Sequence, residues 1–182
     1  RDWSSDVCSS DLGEKFLEKV NGFFALAIYD SLEQTLFLAR DRFGVKPLII
    51  YEDDEQLIFA SEIKALLKFG IKKELNESSL YSYLQLNYIP APQTIFRNIR
   101  KMQAGTCMTI KLKNRVVKNF TSTDLEHQYY KLPIQEPGLL PDFTYDAACE
   151  RLSRLMHDAV ERRLISDVPL GAFLSEIGRA HV

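Results

Sequence analysis

Cysteine is scarce in this 182-residue chain: Cys8, Cys107 and Cys149 are few and irregularly spaced, which argues against a disulfide framework or a zinc knuckle. No apolar run is long enough to span a bilayer, and the start carries no secretory-leader pattern. Net charge is lacking too. The 23 basic and 25 acidic residues leave a formal −2, so no general field attracts nucleic acid or an anionic membrane. The expectation is a soluble, cytoplasmic protein with no nucleic-acid and no membrane partner. Apolar residues, by contrast, make up 46% of the chain, enough at this length for one domain, or one domain and part of a second.

The most informative stretch runs from Val20 to Leu67. It holds four short apolar runs, Phe23–Tyr29, Leu36–Ala39, Leu48–Tyr51 and Leu57–Ala60. Their length and their β-branched and aromatic content favour strand over helix. The polar segments 30–34 and 53–56 are short enough to close hairpins, so an antiparallel meander is expected, its unbroken apolar runs suggesting burial on both faces. Between the second and third runs lie Arg40, Asp41, Arg42 and Lys46. They could form a small anion site, although such a cluster is more often a salt-bridged turn. Gly44 can supply a positive φ there, and Pro47 sits at a strand entrance, where its missing N–H costs least.

Helix signals follow. Ser61 is the expected cap of a helix with Ile63, Leu66 and Leu67 as its apolar stripe and Gly70 just past its end. Asn76 is expected to cap a second, with Leu80, Tyr83 and Leu84 on one face and Pro90 ending it. Tyr81, Tyr83 and Tyr88 could form a stacking surface, but core or interface packing is the commoner use. Residues 105–112 alternate as a half-buried strand, turned by Asn114-Arg115 into 116–120. Cys107 on that strand reads as a small core residue rather than a nucleophile, since no histidine lies near it in sequence. The aperiodic, proline-containing stretch 121–143 reads as a linker. Thr144 then caps a long helix to about Leu164, with Ala148, Leu152, Leu155, Met156, Ala159 and Val160 as its stripe and Arg162 and Arg163 in its last turn. Cys149 and His157 on it have no partners at metal-ligand spacing. Val168–Ser175 reads as a buried strand, the start of a parallel α/β sheet.

Both ends differ in character. Residues 1–12 (RDWSSDVCSSDL) and 176–182 (EIGRAHV) are related through DNA. If Asp6–Leu12 is encoded GAC GTG TGC TCT TCC GAT CTN, its reverse complement reads Glu-Ile-Gly-Arg-Ala-His-Val when the first base is G. Residues 1–12 and 176–182 are therefore expected to be adapter-derived and are set aside for fold and function, Cys8 and His181 with them.

The pattern VxGxFAxAIYD…LARDRxGxKPL…FASExKAL at 20–67, together with YIPAPQTIF at 88–96 and SDVPLGAFLS at 166–175, resembles the glutamine-hydrolysing asparagine synthase family of class II amidotransferases. The resemblance implies an α+β chain: the later half of an N-terminal-nucleophile αββα glutaminase domain at 13–122, a linker at 123–143, and at 144–175 the first helix and strand of an α/β ATP-pyrophosphatase domain. It implies glutamine, aspartate and ATP as substrates of the parent enzyme, with magnesium as co-substrate. In that family an N-terminal cysteine releases ammonia from glutamine, and the ammonia displaces AMP from an aspartyl-adenylate. A possible homodimer goes with it.

The resemblance assigns no catalytic residue and no metal ligand within this chain. Leu174 matches a position that touches ATP, and Ser175 starts the pyrophosphate loop. The family continues there as Ser-Gly-Gly-x-Asp-Ser, whereas here Glu176-Ile177 follows. A carboxylate about 4 Å from a phosphate is repulsive by roughly 4 kcal/mol at an effective dielectric near 20. The expectation is an internal fragment without activity. Two other readings stay open: a related amidotransferase acting on another carboxylate, and a non-catalytic β-rich interaction module. Lacking the first half of a layered domain, the fragment is expected to expose strand edges and to be poorly soluble; soluble, cooperatively unfolding protein would count against that expectation.

Overall fold

Polar turn chemistry sets the first hairpin. In the computed structural model, which describes residues 13–54, 56–112, 125–133 and 144–171, β1 (Ala25–Asp30) and β2 (Thr35–Arg40) pair antiparallel from Ala25↔Arg40 to Asp30↔Thr35. Asp30 Oδ1 accepts the N–H groups of Leu32 and Glu33 at 2.8 and 3.0 Å, an Asx arrangement that closes the turn. The second hairpin joins β3 (Ile49–Glu52) to β4 (Leu57–Ala60). There Asp53 Oδ1 accepts the Gln56 N–H at 2.9 Å, and the Tyr51 hydroxyl donates to Asp53 Oδ2 at 2.6 Å.

The four runs are not one meander. β1 and β2 belong to a sheet ordered β1-β2-β6-β7, with β6 at Thr106–Lys111 and β7 at His127–Gln128. β3 and β4 belong to another, ordered β4-β3-β5, with β5 at Ile99–Lys101. The reason is visible in the alternation of side chains along each strand. Leu38, Ile50, Met108 and Ile110 meet between the sheets, with Leu48 and Met102. One residue along, Ala39 and Cys107 point the opposite way onto Leu17 of α1 (Phe16–Lys19). Ile49 and Tyr51 likewise point outward onto Leu66 of α2 (Ile63–Leu66). Helix, sheet, sheet and helix stack in that order, so the central strands need apolar residues at every position. The unbroken runs record that demand. The α+β expectation holds.

Local caps explain where helices start and stop. Gly70 takes the left-handed conformation (φ 71°) that ends the turn Leu67–Phe69. Asn76 Oδ1 accepts the Ser79 N–H and begins α3 (Glu77–Leu86). Two expectations are corrected. The cap of α2 is Glu62, not Ser61, because Glu62 has the extended backbone and its carbonyl accepts the Ala65 N–H. α3 ends at Asn87 (φ 59°), whose N–H reaches the Tyr83 carbonyl, three residues before Pro90. Tyr81, Tyr83 and Tyr88 are exposed and are not core residues. α3 lies outside the stacked layers and turns only Ser79 inward.

Contacts divide the chain into the units Arg1–Leu132 and Pro133–Val182. In the second, Thr144 Oγ1 accepts the Ala147 N–H and opens α4 (Tyr145–Glu161). α4 ends before Arg162, which caps it, so the two arginines follow the last turn rather than filling it. Its stripe of Leu152, Leu155, Met156 and Val160 is exposed. The strand expected at 168–175 is not formed over 168–171, where no neighbouring strand supplies hydrogen bonds among the described residues. Residues 1–12, 116–120 and 172–182 lie outside them.

Because Leu38 is fully buried between the sheets and Leu32 is 85% exposed in a turn, Leu38→Ala is expected to cost about 2–5 kcal/mol. Leu32→Ala is expected to stay within about 0.5 kcal/mol. Urea unfolding of the refolded chain measures both, and equal effects would contradict the layer assignment.

Candidate functional site

The loop from β2 to β3 concentrates the chain's buried polar chemistry. Asp41 is 1% exposed. Its Oδ1 accepts the N–H groups of Phe43 and Val45 at 3.1 and 3.0 Å, and its Oδ2 accepts that of Lys46 at 2.9 Å. The Asp41 main chain is equally engaged, its N–H donating to the Phe24 carbonyl and its carbonyl accepting from Gly44 and Gly105. Arg40 works in the complementary sense. Its guanidinium donates to the carbonyls of Lys46, Gly44 and Met102. Burial pushes the Asp41 carboxyl pKa up, but the backbone N–H groups of Lys46, Val45, Phe43 and Phe24 outweigh it, and the net shift is below the ordinary value.

Neither sequence reading of this cluster survives. The concave ring of N–H groups that could have held an external anion is already filled by Asp41's own carboxylate. Nor is it a salt-bridged turn, because Arg40 and Asp41 bond to main chain. Gly44 does have the predicted positive φ (64°), and a Cβ there would lie 3.0 Å from Arg40 Cζ and 3.1 Å from Ala104 Cβ. Only glycine fits.

A second polar clasp was not visible in the sequence. Glu126 and β7 fall within the stretch read as linker, yet Glu126 pairs with Arg100 of β5. Its Oε1 also accepts from the Gln103 N–H and the Thr106 hydroxyl, both at 2.9 Å. Glu126 thereby ties the ends of both sheets together. Nearby, the Tyr129 hydroxyl donates to the Arg40 carbonyl at 2.9 Å, and Arg42 lies 5.0 Å over the Tyr130 ring. Leu125 and the Tyr129-Tyr130 pair, apolar residues inside a nominal linker, were the available signal.

Cys107 is fully buried, as a core residue should be. Burial, with the Glu14 carboxylate second, pushes its thiol up to about 12, so it is no nucleophile. A histidine does lie beside it in space: His127 Nε2 is 3.3 Å from Cys107 Sγ. Cys149 is exposed, and His157 Nδ1 lies 3.0 Å from the Ser153 carbonyl of its own helix. A cavity of about 390 Å³ opens beside Glu14 and Thr109, walled by Phe16, Ile28, Tyr29 and Phe37. Leu174 and Ser175, the nucleotide-proximal residues expected from the sequence, lie outside the described residues.

Two antiparallel sheets packed between helices, with one backbone-bonded polar loop crossing between them, invite comparison with known proteins. Residues 7–121 match the glutamine amidotransferase domain family. The chain belongs to that family. It is 34% identical over 169 residues to the putative asparagine synthetase [glutamine-hydrolyzing] 2 of Methanocaldococcus jannaschii, covering 90% of this chain and 30% of that protein. To asparagine synthetase [glutamine-hydrolyzing] 2 of Bacillus subtilis it is 34% identical over 170 residues, 90% of this chain and 22% of the relative. It is also 28% identical over 163 residues to amidase chry2 of Gibberella zeae, 90% of this chain and 23% of the relative. The chain thus spans under a third of the length of these curated relatives. No described helix is long and apolar enough to cross a membrane.

Removing the Asp41 carboxylate leaves three loop N–H groups without an acceptor, so Asp41→Ala is expected to destabilise the unit by about 3 kcal/mol or more. A carboxylate whose folded pKa is depressed contributes stability that is complete above its unfolded value of about 3.9 and is lost as pH falls towards the folded value. Stability of the unaltered chain should therefore decline below about pH 4, and Asp41→Asn should flatten that limb. Unfolding midpoints measured between pH 3 and 6 test this; identical pH profiles would remove Asp41 from its assigned role.

Proposed function

We propose that this chain is part of a glutamine-dependent asparagine synthase, in which ammonia from glutamine hydrolysis amidates aspartate through an aspartyl-adenylate. What carries the reading is the extent of the similarity. The match to the amidotransferase domain ends at residue 121, whereas likeness to glutamine-hydrolysing asparagine synthetases runs over 90% of the chain and so reaches into the second unit. A relative sharing only the ammonia-producing domain would not explain that.

On this reading 13–122 contributes scaffold to the glutaminase, and 144–175 opens the ATP-pyrophosphatase domain, with Leu174 and Ser175 nearest the nucleotide. The chain's own residues divide the work in a physically sensible way. Arg40 and Asp41 hold the β2–β3 loop rigid, and Glu126 locks the sheets. Glutamine hydrolysis needs an activated thiol, and adenylate formation needs a phosphate-wrapping loop and magnesium. Cys107, buried and with its thiol pushed up to about 12, does not supply that thiol. On this reading the polypeptide alone is inactive.

Similarity also extends to amidase chry2, a protein not named as an asparagine synthetase, and the second reading is a parent that amidates a different carboxylate. Both readings are tested together. The chain alone should show neither glutaminase activity nor ATP–pyrophosphate exchange. The full-length gene product should form asparagine and AMP from aspartate, glutamine and ATP. Amidation of another acid with no asparagine formed would select the second reading, and activity of the isolated chain would defeat the scaffold assignment.

A further inference from the structure

Three donor atoms from distant parts of the sequence converge on the outer face of the β1-β2-β6-β7 sheet. Cys107 Sγ comes from β6, His127 Nε2 from β7 and a Glu14 carboxylate oxygen from the turn before α1, all within 4.8 Å of one another. His127 Nε2 is 3.3 Å from the sulfur and 2.7 Å from Glu14 Oε2. Both contacts use the same ring nitrogen. That excludes a relay in which histidine bridges thiol and carboxylate through its two nitrogens.

The groups around these three atoms point elsewhere. His127 Nδ1 faces the Leu125 carbonyl at 3.4 Å, so a proton on Nδ1 has an acceptor there when the Nε2 lone pair is given to a metal. The Thr109 hydroxyl donates to Glu14 Oε1 at 3.2 Å and orients the carboxylate. With Nδ1 carrying the proton, a nitrogen lone pair, a sulfur and a carboxylate oxygen face one point, the donor set of a cation site; without a metal, an Nε2–H donated to Glu14 satisfies the same 2.7 Å contact.

We propose that Glu14, Cys107 and His127 form a binding site for a divalent transition metal of the zinc class. Sulfur, imidazole and one carboxylate suit Zn²⁺ and disfavour Mg²⁺ and Ca²⁺. Zinc takes sulfur at about 2.3 Å and nitrogen or oxygen at about 2.0–2.2 Å, which places tetrahedral donors roughly 3.3–3.6 Å apart. The S···N separation already fits. The N···O separation must open by roughly half an ångström, which the half-exposed Glu14 side chain can supply by rotating. Water completes the fourth position, and the thiol proton passes to solvent as the Zn–S bond forms. The metal would staple the segment before α1 to two strands, a structural role independent of the glutaminase reading.

The test uses the full chain carrying Cys8→Ser and Cys149→Ser, so that Cys107 is the remaining thiol. Titration with Co²⁺ should give one equivalent per chain, with a thiolate-to-cobalt charge-transfer band in the near ultraviolet that Zn²⁺ then abolishes. Zn²⁺ should also raise Tm. Cys107→Ser should erase the charge-transfer band, and His127→Ala and Glu14→Gln, both at half-exposed positions, should each weaken binding at least tenfold while circular dichroism stays unchanged. The proposal fails if the folded chain shows no charge-transfer band and no Zn²⁺-dependent rise in Tm. It fails equally if binding survives His127→Ala undiminished.

Discussion

The burial of the Asp41 carboxylate is the constraint on which the rest of the first unit depends. β2 ends in one sheet and β3 begins in the other, so the chain between them crosses from layer to layer without a strand partner for its main-chain donors. Asp41 satisfies three of those donors at once, and Arg40 satisfies carbonyls of the same loop and of Met102. Neighbouring residues of opposite charge thus serve opposite halves of the backbone's hydrogen-bonding need. The Asp41 charge also favours the charged form of the half-buried Arg40 guanidinium, against its burial.

The two sheets can meet closely because of what lies on either side of that loop. Each central strand carries one apolar set inward and another outward, so Leu38 and Ile50 share the inner layer while Ala39 and Tyr51 serve separate outer ones. The bulky hydrophobic contacts supply most of the favourable free energy, and the polar clasps at Asp41 and Glu126 determine which strands meet. The amidotransferase family pattern falls on this frame. It marks packing and backbone support more than it marks chemistry.

Local signals in the sequence were legible because their partners are local. Asn76 and Thr144 cap helices through a donor three residues on, and Gly44 and Gly70 take the positive φ that their turns demand. Ser61 misled because Glu62 competes for the same role one position later. The split of the four strands between two sheets depends on β6 and β5, far along the chain, and no hairpin pattern encodes it. The Arg40–Lys46 cluster was misread because charge suggests charge partners, whereas its partners are main-chain atoms invisible in a residue list. Glu126 and His127 were hidden in an aperiodic stretch whose apolar residues are too few to show a period.

The Arg40 and Asp41 side chains grip main-chain atoms of the loop and of Met102, and Phe43 and Val45 project from the loop 64% and 51% exposed. Shape and decoration are therefore separable there. The loop's hydrogen bonds do not run through the side chains at 43 and 45, so exchanging them leaves those bonds in place, although at 43 it removes the edge-on contact of Phe43 with the Tyr130 ring. Such a platform lets selection retune what this end of the domain touches while leaving its architecture intact.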